Sequence, residues 1–282
     1  MLADYHMHSA FSPDSALPLE ELIETAIRKG LDEICITDHC DYSVKGAGHG
    51  LWELDFPRYY EHYLALKKRY QDQITIRFGC EFGVQEACIK RYQEVYAAYP
   101  FDFIILSNHQ IDDLEFWDQG FQKGKTQAEY NRQYYEAILA VMKRFDDYQV
   151  LGHLDMIKRY DEQGVYPDEA CMDVIDAILK LAIEKGKGIE LNTSYHRYGL
   201  ADSTPSHMIL KRYRELGGVI VTIGSDSHDA AQVGAYIEEG KQVLRAVGFL
   251  RFVRLRKGSR FFTPYRNLPF TGSFLFSFAC FS

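Results

Sequence analysis

The chain has 282 residues, 46% of them hydrophobic, enough to bury a sizeable core in one large domain or two modest ones. Its formal net charge is −8 and no block of Lys and Arg stands out, which argues against a nucleic-acid partner and for a small substrate. No apolar run is long enough to span a bilayer, and Met1-Leu2-Ala3-Asp4-Tyr5-His6 lacks the basic and apolar stretches of a secretory signal, so no membrane partner is expected.

In chain order, short β-branched or aromatic runs alternate with amphipathic stretches, the pattern of βα units around a parallel sheet. A first strand is predicted over Asp4–His8 and a helix over Pro18–Lys29, closed by Gly30. The second strand, Glu33–Thr37, leads into a Gly-rich loop, Asp41–Asp55, that carries His49 and Trp52 and reads as a cover for a site. A helix over Pro57–Gln71 follows, then a strand over Thr75–Gly79, a helix over Ile89–Ala98 and a strand over Phe103–Ser107. The alternation continues with helix Ala128–Phe145, strand Val150–His153, helix Ala170–Lys185, strand Gly188–Asn192, helix Ser206–Leu216, strand Val219–Gly224 and helix Val233–Val247. Gly186 and Gly217 stop two of these helices.

Seven strands in this order fit an α/β barrel or an open doubly wound sheet. The barrel is favoured because ligand-type residues recur at strand ends, and barrel strands converge at their C-terminal ends on one site. Residues 1–262 are read as one barrel domain. The aromatic tail 263–282, with Phe270, Phe274, Phe276, Phe278 and Phe281, has no helical periodicity and no assigned role. Cys35, Cys40, Cys80, Cys88, Cys171 and Cys280 are scattered without a CxxC pair, which points to reduced thiols in a cytoplasmic protein.

The chemistry is concentrated after the strands. In His6-Met7-His8, alternation turns both imidazoles to one face, where they can chelate a cation. Thr37-Asp38-His39 follows the second strand, Cys80-Glu81 the third, Ser107-Asn108-His109 the fourth, His153 the fifth and Ser225-Asp226-Ser227-His228 the seventh. A single strand-end His more often bonds a backbone carbonyl, but six histidines and two acids in equivalent places point to a shared metal site. These donors are too many for one tetrahedral ion, so two or three divalent ions, Zn, Mn or Fe, are expected, of the kind that clamps a transferring phosphoryl group.

Asp4-Tyr5-His6-Met7-His8, Ser12-Pro13-Asp14, Ile36-Thr37-Asp38-His39, Glu81, His109, Gly152-His153 and Gly224-Ser225-Asp226-Ser227-His228 together resemble the polymerase-and-histidinol-phosphatase (PHP) family, and within it the stand-alone histidinol-phosphatase branch. The resemblance runs to about residue 250. It implies a distorted seven-stranded (β/α) barrel with a trinuclear centre. Carried over by motif, His6, His8, Glu81 and Asp226 would hold one metal, His39 and Asp14 a second, and Glu81, His109, His153 and His228 a third. Asp14, after Pro13, reads equally as a turn or helix N-terminal acid.

The strand-end loops also hold Arg159 and Arg197, both suited to the outer oxygens of a phosphate. Asn192, Tyr195 and His196 lie beside Arg197 and would orient substrate, and Trp52 would enclose an imidazole ring. The expected reaction is attack on phosphorus by cation-activated water, with the arginines stabilising charge and Asp226 or His228 passing a proton to the leaving alkoxide. The residues alone reach only a phosphoester; L-histidinol phosphate, a step of histidine biosynthesis, is what the resemblance implies. Another small phosphate monoester or diester is the alternative, as are an amidohydrolase-type reaction at carbon and a non-catalytic metal-stabilised interaction module. Oligomeric state is left open.

Overall fold

Each parallel strand hands its backbone groups to a neighbour that arrives only after an intervening helix. The computed structural model describes residues 1–46, 52–249, 251–256 and 259–264. Its elements in chain order are β1 (Ala3–Asp4), α1 (Leu19–Arg28), β2 (Glu33–Ile36), β3 (His39–Cys40), α2 (Phe56–Arg69), β4 (Thr75–Gly83), α3 (Ile89–Ala98), β5 (Phe103–Ser107), β6 (Gln110–Ile111) and β7 (Leu114–Glu115). Then come α4 (Gln127–Arg144), β8 (Val150–Leu151), α5 (Met172–Glu184), β9 (Gly188–Asn192), α6 (His207–Glu215), β10 (Val221–Gly224), α7 (Ile237–Val247), β11 (Arg251–Arg256) and β12 (Ser259–Pro264).

The sheet order β1-β2-β4-β5-β8-β9-β10 is parallel throughout, and β3 pairs with the second half of β4. A parallel bridge between Met7 and Ser227 and a bond from Tyr5 N to Ile223 O (3.1 Å) join the first strand to the last. The result is a nearly closed barrel of seven parallel strands with flanking helices, as the sequence predicts.

Helices form where apolar periodicity meets suitable ends. On α1, Leu19, Leu22, Ile23 and Ala26 are buried on one face, with Glu20 and Glu21 in the first turn and Arg28 in the last, the charge order that a helix dipole favours. α4 opens with a capping box in which Thr126 and Glu129 satisfy each other's backbone N–H. The main apolar core lies between the helices and the barrel. A smaller cluster of Ala3, Tyr5, Cys35, Phe103, Ile105, Val150 and Ile220 sits with the ladder face that carries Glu81, since Glu81, Ile105 and Val150 are successive register partners.

Several expectations change. The third predicted strand runs to Gly83, not Gly79, so Glu81 lies inside the ladder. A polar residue reads as a strand end by composition, but here imidazoles compensate its charge. The first strand leaves the ladder after Asp4, because His6 and His8 bond to the loop after β10 instead. The hairpins β6–β7 and β11–β12 were not anticipated, and Thr263 and Pro264, expected in the irregular tail, belong to β12. The remainder of the tail from residue 265, with Cys280, and residues 47–51 of the covering loop, with His49, lie outside the described residues.

Candidate active site

Barrel closure builds the site. Asp226 N donates to His6 O and His8 N to Ser227 O, both at 2.8 Å, so the first and last strand ends interleave. Gly224 permits that approach: a Cβ there would lie 2.2 Å from His6 Cβ and 2.4 Å from Glu190 Oε1. Asp226 adopts a left-handed backbone (φ 54°), a region that Asp tolerates better than most residues. His39 opens β3 directly opposite Glu81, while His109 and His153 follow β5 and β8.

Glu81 is the hub. Its Oε2 lies 3.0 Å from His6 Nε2, 3.1 Å from His39 Nδ1 and 3.5 Å from His8 Nε2. Its Oε1 lies 2.7 Å from His153 Nε2 and 3.2 Å from His109 Nε2. Asp226 Oδ1 is 3.4 Å from His8 Nε2 and 3.7 Å from His6 Nε2. Asp14 Oδ2 stands 2.9 Å from His228 Nε2 and 3.7 Å from His39 Nε2.

Four sets of donors could each hold a metal ion: His8, His39 and His228; His6, His8 and Glu81; His39, Asp41 and His109; and Glu81, His109 and His153. His228 therefore groups with His8, His39 and Asp14, not with Glu81, His109 and His153 as the motif carry-over implies, because its ring stacks on His8 at 4.2 Å. Sequence reasoning missed Asp41: it follows His39 by two residues, but its role shows only where its Oδ1 meets His109 Nδ1 (2.6 Å), which arrives from another strand. Divalent cations fit this donor set. His6 Nε2, His8 Nε2, His39 Nδ1, Asp41 Oδ2 and Glu81 Oε2 are buried and face one another at 3.0–3.6 Å without forming a hydrogen bond, a convergence of donor atoms that a cation would satisfy.

A second layer of acids aims the imidazoles. Glu190 on β9 accepts from His6 Nδ1 (2.7 Å) and from His153 N (3.0 Å), and Asp41 Oδ1 takes His109 Nδ1 (2.6 Å). Buried Asp38 accepts from Ser9 and Ser12, and Ser12 Oγ in turn meets His8 Nδ1 at 3.2 Å. Sequence reasoning missed Glu190, although Glu190 and Asn192 alternate along one strand.

Charges answer each other. Burial alone would raise Glu81, yet the imidazoles, His6 foremost, hold it well below the usual carboxylate range. Burial opposes charge on His6 too, but Glu190, Glu81 and Asp226 lift it well above its ordinary value, and Asp41 and Glu81 do the same for His109. Burial and the neighbouring His228 push His8 down to about 4, and burial with His8 pushes His39 to about 3.

A cavity of about 260 Å³ opens over these donors, lined by Asp14, His39, Asp41, Trp52, His109, Trp117, His153, Met156, Arg159, Tyr160, Tyr198, Asp226 and His228. Arg159 is in the wall with its side chain only 3% exposed, its guanidinium bonded to Asp226 Oδ2 (3.2 Å) and stacked 4.6 Å over Tyr198. Trp52 also lines the cavity, 5.2 Å from the His39 ring, and Trp117, which the sequence did not single out, stands 5.9 Å from Trp52.

The other substrate-binding expectations lie behind the wall. Arg197 donates to the backbone carbonyls of Ser225 (2.8 Å) and Asp226 (2.5 Å), so its guanidinium braces the loop that carries Asp226. Asn192 is buried and bonds Asp226 Oδ2 (3.3 Å), Glu190 and Ser194. His196 is exposed and stacked between Tyr195 and Tyr236, at 4.1 and 3.9 Å. Short loop spacing placed these three near the site but could not say which side chains turn inward.

The fold and the donor set define an α/β barrel built to hold several metal ions at its strand ends. The chain belongs to the PHP domain family, which matches residues 4–194. The histidinol-phosphatase of Lactococcus lactis is 33% identical over 253 residues, covering 87% of this chain and 91% of that one. A crystal structure of histidinol phosphate phosphatase from Lactococcus lactis, complexed with zinc, L-histidinol and phosphate, superposes with a TM-score of 0.82 at 30% identity over 92% of this chain and 98% of that one. The histidinol-phosphatase of Bacillus subtilis is 24% identical over 256 residues, covering 82% and 95%. Among the described residues, no helix is long and apolar enough to cross a membrane.

Proposed function

We propose that this chain is a metal-dependent phosphoric monoester hydrolase, a histidinol-phosphatase that converts L-histidinol phosphate to L-histidinol and phosphate in histidine biosynthesis. Its similarity to the Lactococcus lactis enzyme supports the substrate, and the donor set supports the chemistry. The observation that carries the reading is Glu81, one carboxylate within 3.5 Å of nitrogens from five imidazoles, next to a cavity that holds Arg159.

Zinc, manganese or iron would be gripped by His6, His8, Glu81 and Asp226; by Asp14, His39 and His228; and by Glu81, His109 and His153, with Asp41 beside the last two sets. When bound, such ions supply Lewis-acid stabilisation of phosphoryl charge and lower the pKa of water. Arg159 adds a guanidinium to the outer phosphate oxygens. Asp226 and His228 both line the cavity, but each is a metal donor in this arrangement and His228 Nδ1 meets Asp226 O at 2.9 Å, which leaves neither with a free group to pass a proton to the leaving alkoxide. Trp52, Trp117, Tyr160 and Tyr198 form an aromatic wall suited to a flat ring. Residues 1–262 are read as one catalytic unit. Among the described residues, five buried, unpaired cysteines support a reducing, cytoplasmic setting.

The test is a steady-state comparison of histidinol phosphate with a nucleotide, a sugar phosphate and a phosphodiester, using Mn- or Zn-loaded protein. Histidinol phosphate should be preferred, and chelation should abolish turnover. A preference below about tenfold, or ~1.4 kcal/mol, would remove the specific assignment.

A further inference from the structure

Lys158 and Arg159 are neighbours on one short turn, Met156–Tyr160, and their side chains part company there. Arg159 is in the cavity wall and donates to Asp226 Oδ2 (3.2 Å), Asn192 Oδ1 (3.2 Å) and Ser194 Oγ (2.7 Å). Lys158 is absent from the cavity lining. Its side chain is 8% exposed, with Nζ between Asp155 Oδ2 (2.8 Å) and Asp168 Oδ1 (2.7 Å).

Both carboxylates are themselves fixed. Ser206 N donates to Asp155 Oδ2 (3.0 Å) and Ser206 Oγ to Asp168 Oδ2 (2.6 Å), while the same hydroxyl caps α6 by accepting from Ile209 N (3.2 Å). Asp168 begins the helical turn that runs into α5. The ammonium thus ties the Arg159 turn to the starts of two helices. The far end of the turn is held from α4, where Tyr130, Asn131 and Gln127 all donate to Asp161.

A buried ion cluster is a poor source of stability, because apolar side chains of similar volume often hold a core as well or better. It does fix geometry, and a displacement of about 1 Å at a reacting centre can cost on the order of 10²-fold in rate. We propose that Lys158 is a positioning residue: through the Asp155–Lys158–Asp168 triad it holds the Met156–Tyr160 turn so that Arg159 meets the phosphoryl oxygens of the substrate. This rests on the functional reading above for the role of Arg159, but not for the mechanical link between the two residues.

The test compares metal-loaded wild type, Lys158→Met, Lys158→Arg, Arg159→Ala and the double variant Lys158→Met/Arg159→Ala. The readouts are KM and kcat on histidinol phosphate, inhibition by inorganic phosphate, and a crystal structure of Lys158→Met. Lys158→Met should raise KM and weaken phosphate inhibition by roughly tenfold or more. Lys158→Arg should restore most of the loss, and Lys158→Met should add less than about twofold once Arg159 is already alanine. Equal losses in both backgrounds would overturn the proposal. So would a Lys158→Met structure with Arg159 still bonded to Asp226, Asn192 and Ser194. If circular dichroism shows that Lys158→Met does not fold, Asp168→Asn is judged by the same criteria. If wild type cleaves no phosphomonoester, the functional reading falls, and the crystal structure still decides whether Lys158 sets Arg159.

Discussion

His39 and Glu81 are register partners across β3 and β4, and His39 Nδ1 stands 3.1 Å from Glu81 Oε2. Neighbouring strands run about 4.8 Å apart, so the backbone ladder itself brings an imidazole and a carboxylate to metal-sharing distance. The remaining donors arrive by barrel closure, and Glu81 is where the two arrangements meet.

Glu81→Gln should therefore remove more than one equivalent of bound metal. The amide keeps the shape but loses the charge that five imidazoles share. Activity is expected to fall by more than the roughly 10–100-fold typical when only a ligand's supporting hydrogen bond is lost. Elemental analysis with kcat/KM checks this; unchanged stoichiometry would contradict the shared-carboxylate geometry.

Glu190→Gln tests the layer behind the ligands. Glu190 fixes His6 through Nδ1 at 2.7 Å, and its loss should weaken metal affinity by roughly 10–100-fold while the fold survives. Competition against a graded series of chelators measures the shift. No change would mean that His6 is aimed by the backbone alone.

Gly83→Ala probes the crowding around Asp41. A Cβ at Gly83 would fall 1.8 Å from Asp41 Oδ1 and 2.8 Å from His109 Nδ1, so both must move. Overpacking of this kind typically costs about 1–3 kcal/mol, and a lower Tm with loss of metal from the His39, Asp41 and His109 set is the expected result. Gly224→Ala should act likewise on His6. A fully active, fully loaded Gly83→Ala protein would show that Asp41 is dispensable.

Chelator-stripped protein should depend on pH in a defined direction. Carboxylates hold His6 and His109 well above their ordinary value despite burial. A raised folded-state pKa contributes stability that is fully present below the unfolded value of about 6.5 and is lost as pH climbs through the raised value. The Tm of stripped protein should thus fall above neutrality, where metal restores it most. Loading should also release protons, visible as a calorimetric heat that varies with the ionisation enthalpy of the buffer. A buffer-independent heat would show that these imidazoles are already neutral.

Part of this site is written in short-range sequence. The period-two spacing of His6 and His8, the recurrence of His39, His109, His153 and Asp226 after four different strands, and seven βα alternations are local features, because side-chain direction along a strand and helix periodicity are set by neighbouring residues. Those features were sufficient for the barrel and for most of the donors. They were not sufficient for Asp41 or Glu190, since a carboxylate declares its role only when the ring nitrogen it faces arrives from another strand.

Tertiary structure alone decided the pairings. It put His228 with Asp14 and His39, ran β4 on to Gly83, turned Arg197 onto backbone carbonyls and left His196 stacked outside the cavity. Each outcome depends on the register between strands distant in sequence and on how the first and last of them close. A one-residue change in register reverses which side chains face inward, and no local spacing carries that information.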